Sequence, residues 1–201
     1  MKTVSIILLA LTLLLSACGT PGSLKSDRRE LTAAYAQVKP EGELTIIFDE
    51  LPGTVGDSVC TGPGMWSSAS LDASSVALVE AKEVFKCGFE YVMLVVAQDK
   101  HISDFEANAS GNSWLLRLKV GASTSGFSGA HVATIKVRAF DEKDQLLFEY
   151  SDEETVYDAL QFGQVDTMQR AFIRIYRRTL DRLLTQRAAG AKPDAAASTA
   201  K

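Results

Sequence analysis

The sequence predicts a single α+β domain, in which a mostly antiparallel sheet of four to five strands carries one crossover helix and a long C-terminal helix. Two patterns support this fold class. Residues 113–120 and 131–140 alternate between apolar and polar, which is the period of half-buried strands. After residue 151, apolar residues recur at steps of three or four, as in an amphipathic helix. A chain of 201 residues is long enough for one ordinary core.

The first half of the domain has the pattern of a strand, a helix and a second strand. Residues 43–51 are β-branched and apolar enough for a strand, whereas residues 55–70 are expected to be irregular. Asp72 is a suitable N-cap for a helix over 72–86. The continuous apolar run 89–97 has the length of a buried strand. This order favours a right-handed crossover unit.

The second half has the pattern of three further strands, which we expect to be antiparallel, and one helix. The alternating segments 113–120 and 131–140 are two of the strands. A charged turn at 141–144 joins the second of them to residues 146–150, which predicts a hairpin. The helix expected after residue 151 has one apolar face, formed by Val165, Met168, Phe172, Tyr176, Leu180 and Leu183.

Composition and charge exclude two broad classes of protein. Lys and Arg number 21 against 25 Asp and Glu, which gives a net charge of −4. A protein that binds nucleic acid usually carries a basic excess, so we expect no nucleic-acid partner. The one long apolar run lies at the N-terminus, which argues against a protein that spans a membrane several times.

The first 17 residues have the pattern of a secretion signal. Met1 and Lys2 provide a short positive start, and an apolar run follows over residues 4–15. That run is shorter than the roughly 18–20 residues that cross a bilayer as a helix. Cleavage is therefore expected in preference to a permanent transmembrane anchor.

The cluster Leu15-Ser16-Ala17-Cys18 resembles the lipobox of bacterial lipoproteins. This resemblance implies cleavage between Ala17 and Cys18 and acylation of Cys18, which becomes the first residue of the mature protein and its link to membrane lipid. Such proteins stay on the inner membrane when Asp follows the cysteine, and Gly19 departs from that signal. The resemblance thus implies an outer-membrane anchor with the domain in the periplasm. The alternative is an ordinary signal peptide cut near Ala17.

Composition shifts divide the mature chain into three parts. Residues 18–42 are rich in Gly, Pro, Ser and charge, and are expected to form a lipidated tether with one short helical stretch at 27–38. Residues 43–187 form the α+β domain. Residues 188–201 are rich in Ala and contain no large apolar side chain, so we expect a disordered tail.

Cys60 and Cys87 remain as an even pair once Cys18 is acylated. In an oxidising compartment such a pair predicts a disulfide, here closing a loop of 28 residues. The chain-entropy model assigns such a closure roughly 3–4 kcal/mol. The alternative is a reactive thiol, but neither cysteine lies in a Cys-x-x-Cys motif or near a His in sequence.

The sequence contains no convincing catalytic or metal-binding motif, and we expect no cofactor. Asp99, His101 and Asp104 could together ligate a metal or transfer a proton, but no second His accompanies them, which favours a solvated loop. The stretch 126–130 loosely matches a nucleophile elbow. That motif needs a helix after it, whereas a strand is expected here.

A row of arginines lies on the polar face of the expected C-terminal helix. Such a row can bind an anionic partner, for example lipid headgroups or an acidic protein. The alternative is a solvated face whose arginines pair with nearby acids. The row consists of Arg170, Arg174, Arg177, Arg178 and Arg182.

Residues 130–184 resemble small envelope lipoproteins of unknown function, in which a strand, an Asp-containing turn, a second strand and a terminal helix recur. The segments that carry this resemblance are 135–141 and 146–150. The order of elements is also similar to that of periplasmic domains that regulate cell-wall synthases or help to assemble envelope complexes. The resemblance implies a non-catalytic binding, scaffolding or assembly module with a protein partner in the envelope.

Two other functions stay open at this point. One is a carrier of lipid or another apolar ligand held between sheet and helix, as in auxiliary lipoproteins of envelope transport systems, and it requires an apolar cavity. The other is an envelope hydrolase, which requires a pocket that brings His101 or His131 together with acids from distant segments.

Overall fold

The structure is a computed structural model that describes residues 23–62, 65–97, 113–125, 130–157 and 164–190. The signal peptide, the lipobox, the cluster of Asp99, His101 and Asp104, and residues 126–129 lie outside the described residues. Three helices and seven strands occur within these ranges. They are α1 (Leu24–Ala34), β1 (Glu43–Glu50), β2 (Thr54–Gly62), β3 (Met65–Asp72), α2 (Ala73–Phe85), β4 (Tyr91–Val96), β5 (Ser113–Ser125), β6 (Ala130–Phe140), β7 (Leu146–Tyr157) and α3 (Gln164–Gly190).

The α+β class is confirmed, but the main sheet is mixed. Its five strands lie in the order β4-β1-β5-β6-β7. Strands β4 and β5 are both parallel to β1, whereas β6 and β7 are antiparallel to their neighbours. The prediction of a mostly antiparallel sheet is therefore wrong. Alternation within a strand reports which face is buried and carries no information on the direction of the neighbouring strand.

The crossover unit and the hairpin are confirmed. Strands β1 and β4 are parallel neighbours connected through α2, as the strand-helix-strand pattern predicts. Helix α2 begins after Asp72, whose Oδ1 accepts hydrogen bonds from the backbone N–H groups of Ser74 and Ser75 at 3.1 and 3.4 Å. These bonds satisfy two of the donors that a helix start leaves free. The turn at 141–144 joins β6 to β7.

Residues 55–70 form strands, not the irregular segment expected from their composition. Strands β2 and β3 pair antiparallel as a separate two-stranded sheet, with Val55 opposite Leu71 and Cys60 opposite Trp66. Gly and Ser have low intrinsic preference for strands, and this is why the composition misled. Pairing between segments adjacent in the chain overrides that preference.

The C-terminal helix begins later and ends later than the sequence suggests. Strand β7 continues to Tyr157, so residues 151–157 are a strand and not the first turns of a helix. Helix α3 continues to Gly190, three residues into the segment expected to be disordered. Two acids of β7, Asp152 and Glu154, bind arginines of α3, which explains why this polar segment is kept in the sheet.

The core lies between the sheet and the helices. The alternating residues of β5 and β6 bury one side each, as predicted, with Leu116, Leu118, Ile135 and Val137 fully buried. The apolar face of α3 packs against them, and five of the six residues predicted for it are buried: Met168, Phe172, Tyr176, Leu180 and Leu183. Val165 is the exception, with 48% of its surface exposed.

Residues 24–34 are a docked helix and not part of a flexible tether. Asp27 is buried between α1 and α3, where its carboxylate accepts a 2.7 Å hydrogen bond from Arg170 Nε. One and two turns further along α1, Leu31 and Tyr35 enter the core. The Tyr35 hydroxyl donates to Asp181 Oδ1 at 2.6 Å. The folded domain therefore begins at α1, and the predicted boundary at residue 43 is too late.

The expected Cys60–Cys87 bridge is not formed in the structure, where Cys87 is a free thiol. Gly88, next to Cys87, accepts a hydrogen bond from Glu41 just before β1 begins. The hairpin that contains Cys60 instead contacts the far end of β5, where Thr124 donates to the Gly56 carbonyl at 2.9 Å. Cys87 lies at the other end of β5, because Ser113 is aligned with Glu43 at the start of β1. The two ends of β5 are about 36 Å apart, far beyond the reach of a disulfide. The side chain of Cys60 lies outside the described residues.

Replacing Asp27 should destabilise the domain strongly. In Asp27→Ala the guanidinium of Arg170, whose side chain is 9% exposed, stays buried without its carboxylate partner. Loss of one partner from a buried ion pair costs about 3–5 kcal/mol. Urea unfolding, followed by circular dichroism, measures this loss.

Glu30→Ala is the matched control for that substitution. Glu30 also lies on α1 and also faces an arginine of α3, but its contact with Arg177 is 3.8 Å, and the two side chains are 64% and 37% exposed. Exposed pairs of this kind contribute about 0–1 kcal/mol. Similar losses in the two variants would contradict a buried role for Asp27.

Candidate functional site

The arginine row predicted to bind an anionic partner is bound by acids of the chain itself. Arg170 and Arg174 both contact Asp27 of α1, and Arg174 also contacts Glu154 of β7. Arg178 binds Asp152 and Glu154, each at 2.7 Å. Helix α3 is thereby connected to α1 on one side and to the edge strand β7 on the other.

The last two arginines of the row also have partners within the chain, one an acid and one an aromatic ring. Arg177 lies 3.8 Å from Glu30, and Arg182 places its guanidinium 4.0 Å from the centre of the Tyr150 ring. Such stacking satisfies a cation with an aromatic face. The alternative of pairing with nearby acids describes four of the five arginines, of which Arg170 is buried and the other three are more than a third exposed.

A buried carboxylate that the sequence reasoning missed joins all three helices. Glu80 of α2 is fully buried, and its Oε1 accepts hydrogen bonds from Arg28 of α1 at 2.6 Å and from Gln169 of α3 at 2.8 Å. Its Oε2 and the hydroxyl of Tyr176 have no hydrogen-bond partner within the described structure. Burial raises the pKa of Glu80, although Arg28 and Gln169 oppose that shift.

A signal for Glu80 was present in the sequence. The residues of α2 that pack into the core include Ala77, Ala81 and Val84. Glu80 falls on the same face of the helix, three residues after Ala77. A charged residue at an apolar position needs a buried partner, and that partner comes from α1, which was expected to belong to the tether.

The face of the main sheet opposite α2 and α3, which we call the outer face, combines exposed apolar residues with ion pairs. Tyr91 and Met93 lie on edge strand β4 and are 61% and 49% exposed, and Leu146 of β7 is 51% exposed. Their aligned neighbours on β1, Glu43 and Thr45, share this face, where Thr45 is only 4% exposed. The outer face therefore presents apolar surface at both edges of the sheet.

Two ion pairs lie on the outer face between its edges. Arg117 of β5 binds Asp49 of β1 at 2.6 Å, and Lys119 binds Glu50 on the next outward position of the same strands. The contact with Glu50 raises the pKa of Lys119. A groove of about 740 Å³ lies alongside, lined in part by Lys119, Gly121, Thr134, Lys136, Ser151 and Glu153.

Gly121 lines this groove at a position where a side chain would not fit. A Cβ at that position would lie 2.5 Å from the Oγ1 of Thr134, its partner on β6. The groove mixes cations and anions, so it has no single charge preference.

The described ranges contain no group of three or more His, Cys, Asp and Glu residues that could hold a metal ion. His131 is 1% exposed and lies in β6 on the side of the sheet that faces the helices. Burial also raises the pKa of the Cys87 thiol, with Glu83 adding to the shift, which disfavours the reactive thiolate. No helix in these ranges has the length and apolar composition of a membrane span.

Comparison with known proteins finds likenesses only among solved structures. No protein-family model and no curated protein matches the sequence. Protein XCC0632 from Xanthomonas campestris, described as a DUF330 protein, is 8% identical with a TM-score of 0.46, and the match covers 77% of this chain and 91% of that one. The hypothetical protein CT253 from Chlamydia trachomatis is 11% identical with a TM-score of 0.45, covering 74% and 99%. The PelC dodecamer from Paraburkholderia phytofirmans is 9% identical with a TM-score of 0.38, covering 70% and 89%.

Glu80 should make the stability of the domain fall as the pH rises above about 4.5, the ordinary value for its carboxyl. Its raised pKa means that the folded protein binds more protons than the unfolded chain between that value and the folded-state pKa. The free energy of unfolding therefore decreases with pH across this window. Glu80→Gln removes this decrease, and urea unfolding at a series of pH values measures it.

Glu83→Gln tests whether any glutamate of α2 would have the same effect. Glu83 lies one turn away and its side chain is 52% exposed. The decrease with pH should persist in this variant and be only slightly smaller, because burial is the main cause of the raised pKa of Glu80 and the Glu83 charge adds less to it. Identical profiles for Glu80→Gln and Glu83→Gln would contradict the role of burial.

Proposed function

We propose that the protein is a lipid-anchored envelope lipoprotein that works as a non-catalytic binding or assembly module at the periplasmic face of the outer membrane. Acylation of Cys18 anchors the chain, as the lipobox implies. The docking of α1 supports close attachment, because only five residue steps separate Cys18 from Ser23, at the start of the domain. A chain of that length spans at most about 18 Å. The domain thus stays near its membrane.

The binding surface in this proposal is the outer face of the sheet. Asp27, Asp152 and other acids of the chain pair with the arginines of α3, so the charge of this row is largely compensated within the chain. Tyr91 and Met93 instead form an exposed apolar pair on an edge strand. Exposed apolar groups next to charged ones are typical of protein interfaces. This pair is the single observation that carries the choice of surface.

The lipid-carrier alternative receives less support. It needs an apolar cavity between sheet and helices, and large buried side chains occupy that layer. Phe85 and Phe172 both pack against Tyr176, with ring centroids 5.9 and 5.8 Å apart. The hydrolase alternative needs a pocket that brings His101 or His131 together with acids; His131 is buried in the sheet, and His101 lies outside the described residues.

Cys18→Ser should remove the protein from the outer membrane. Without the thiol no acyl chain is attached, so the anchor is lost while the folded domain is unchanged. Fractionation of envelopes and mass spectrometry of the purified protein measure both effects. Cys87→Ser is the control and should stay lipidated, and a Cys18→Ser protein that stays on the outer membrane would sink the proposed anchor.

Met93→Lys should abolish capture of the partner by the lipidated protein after crosslinking in intact envelopes. A charge in the centre of an apolar contact is desolvated without a partner. Val79→Lys is the matched control, because Val79 is 54% exposed but lies on α2, on the other side of the sheet. Capture that survives in Met93→Lys, or fails equally in both variants while both melt like the original chain, would rule out the outer face.

A further inference from the structure

The N-terminal segment enters the domain at one defined end of the sheet. Helices α1 and α3 both start there, since Asp27 in the first turn of α1 contacts Arg170 in the second turn of α3. Strand β7 ends at the same place, because Arg174 connects Asp27 to Glu154 near its C-terminus. We call this the tether end of the domain.

Two exposed apolar residues lie at the tether end. Tyr157 is the last residue of β7 and is 62% exposed, and Val165 in the first turn of α3 is 48% exposed. Helical spacing assigns Val165 to the apolar face of α3, but the buried part of that face begins one turn later, at Met168. Tyrosine combines an apolar ring with a polar hydroxyl, a combination suited to the boundary between lipid and water.

Two exposed cations lie in the first turns of α1, at the same end of the domain. Lys25 and Arg29 are both exposed, whereas Asp27 between them is buried in its ion pair. Cations are unfavourable near the N-terminus of a helix, because the helix dipole is positive there. Nearby lipid phosphates would offset that cost. The acids at this end include Asp27 and Glu154, which bind arginines of α3, and Asp72 and Asp166, which lie at the starts of α2 and α3, where the dipole favours them.

We propose that the tether end is a lipid-docking surface, on which Tyr157 and Val165 contact the membrane interface and Lys25 and Arg29 contact anionic headgroups. The inference rests on the proposed anchor, because acylated Cys18 would hold this end within about 18 Å of the bilayer. At that distance a second, weak contact becomes effectively intramolecular. The domain then lies with its tether end on the leaflet and its opposite end towards the periplasm.

A pair of tyrosines with equal exposure allows a direct test. Tyr157 and Tyr91 are 62% and 61% exposed, and they lie at opposite ends of the sheet on its two edge strands. In a lipidated protein carrying Trp66→Phe and Trp114→Phe, a single tryptophan is introduced as Tyr157→Trp or Tyr91→Trp. Each variant is reconstituted into phosphatidylethanolamine and phosphatidylglycerol vesicles that contain lipids brominated near the headgroup.

The expected result is quenching and a blue shift of the tryptophan at position 157, with neither change at position 91. Circular dichroism melting confirms that both variants are folded. Equal fluorescence loss at the two positions, loss only at position 91, or no loss at either would overturn the docking surface.

A charge-reversal pair tests the headgroup contact. Lys25→Glu with Arg29→Glu should weaken docking about fivefold for each cation removed, with the largest effect in vesicles rich in phosphatidylglycerol. These substitutions favour the helix dipole, so a loss of docking cannot be attributed to unfolding of α1. Lys86→Glu with Lys143→Glu, at the opposite end, is the control and should leave quenching unchanged. Equal effects of the two pairs would overturn the headgroup contact.

Failure of the anchor and failure of docking give different results. A protein without acyl mass at Cys18 contradicts the proposed function. A lipidated protein whose tryptophan at position 157 is not quenched keeps its anchor but has no docking surface. Partition of a chain that begins at Gly19 into the same vesicles measures docking without any anchor.

Discussion

The buried ion pair between Asp27 and Arg170 constrains more of this structure than any other contact. It joins the first helix of the described chain to the last across 143 residues of sequence. Because both charged groups are buried, moving α1 away from α3 would leave a buried charge without its partner. The pair therefore fixes α1 on the domain and decides at which end of the sheet the N-terminal segment enters.

This constraint also determines which surfaces are left for partners. The acids of α1 and β7 engage the arginines of α3, and the buried Glu80 holds α1 and α3 to α2. The arginine row of α3, which the sequence shows as a polar helix face, holds α3 to α1 and to β7. The surfaces that remain are the outer face of the sheet, with its apolar edge at Tyr91 and Met93, and the tether end.

Periodicity predicted the local elements well and their assembly poorly. The alternation in β5 and β6 and the apolar face of α3 from Met168 to Leu183 are buried as the pattern indicates. The parallel pairing of β1 with β5 was not predictable, since strand direction depends on chain connections that alternation does not record. The partners of Arg170 and Glu80 were not predictable for a related reason: Asp27 and Arg28 lie more than fifty residues away from them in sequence.

The sequence by itself determined the α+β class, the crossover unit, the β6–β7 hairpin, the long C-terminal helix and the features that imply secretion and lipidation. Each of these depends on residues that are neighbours in the chain or on a repeat within one element. The tertiary structure alone decided that the sheet is mixed, that α1 is docked, that Cys87 lies far from the hairpin of Cys60, and that Val165 is exposed. These features depend on distances between segments remote in sequence, which only folding brings together.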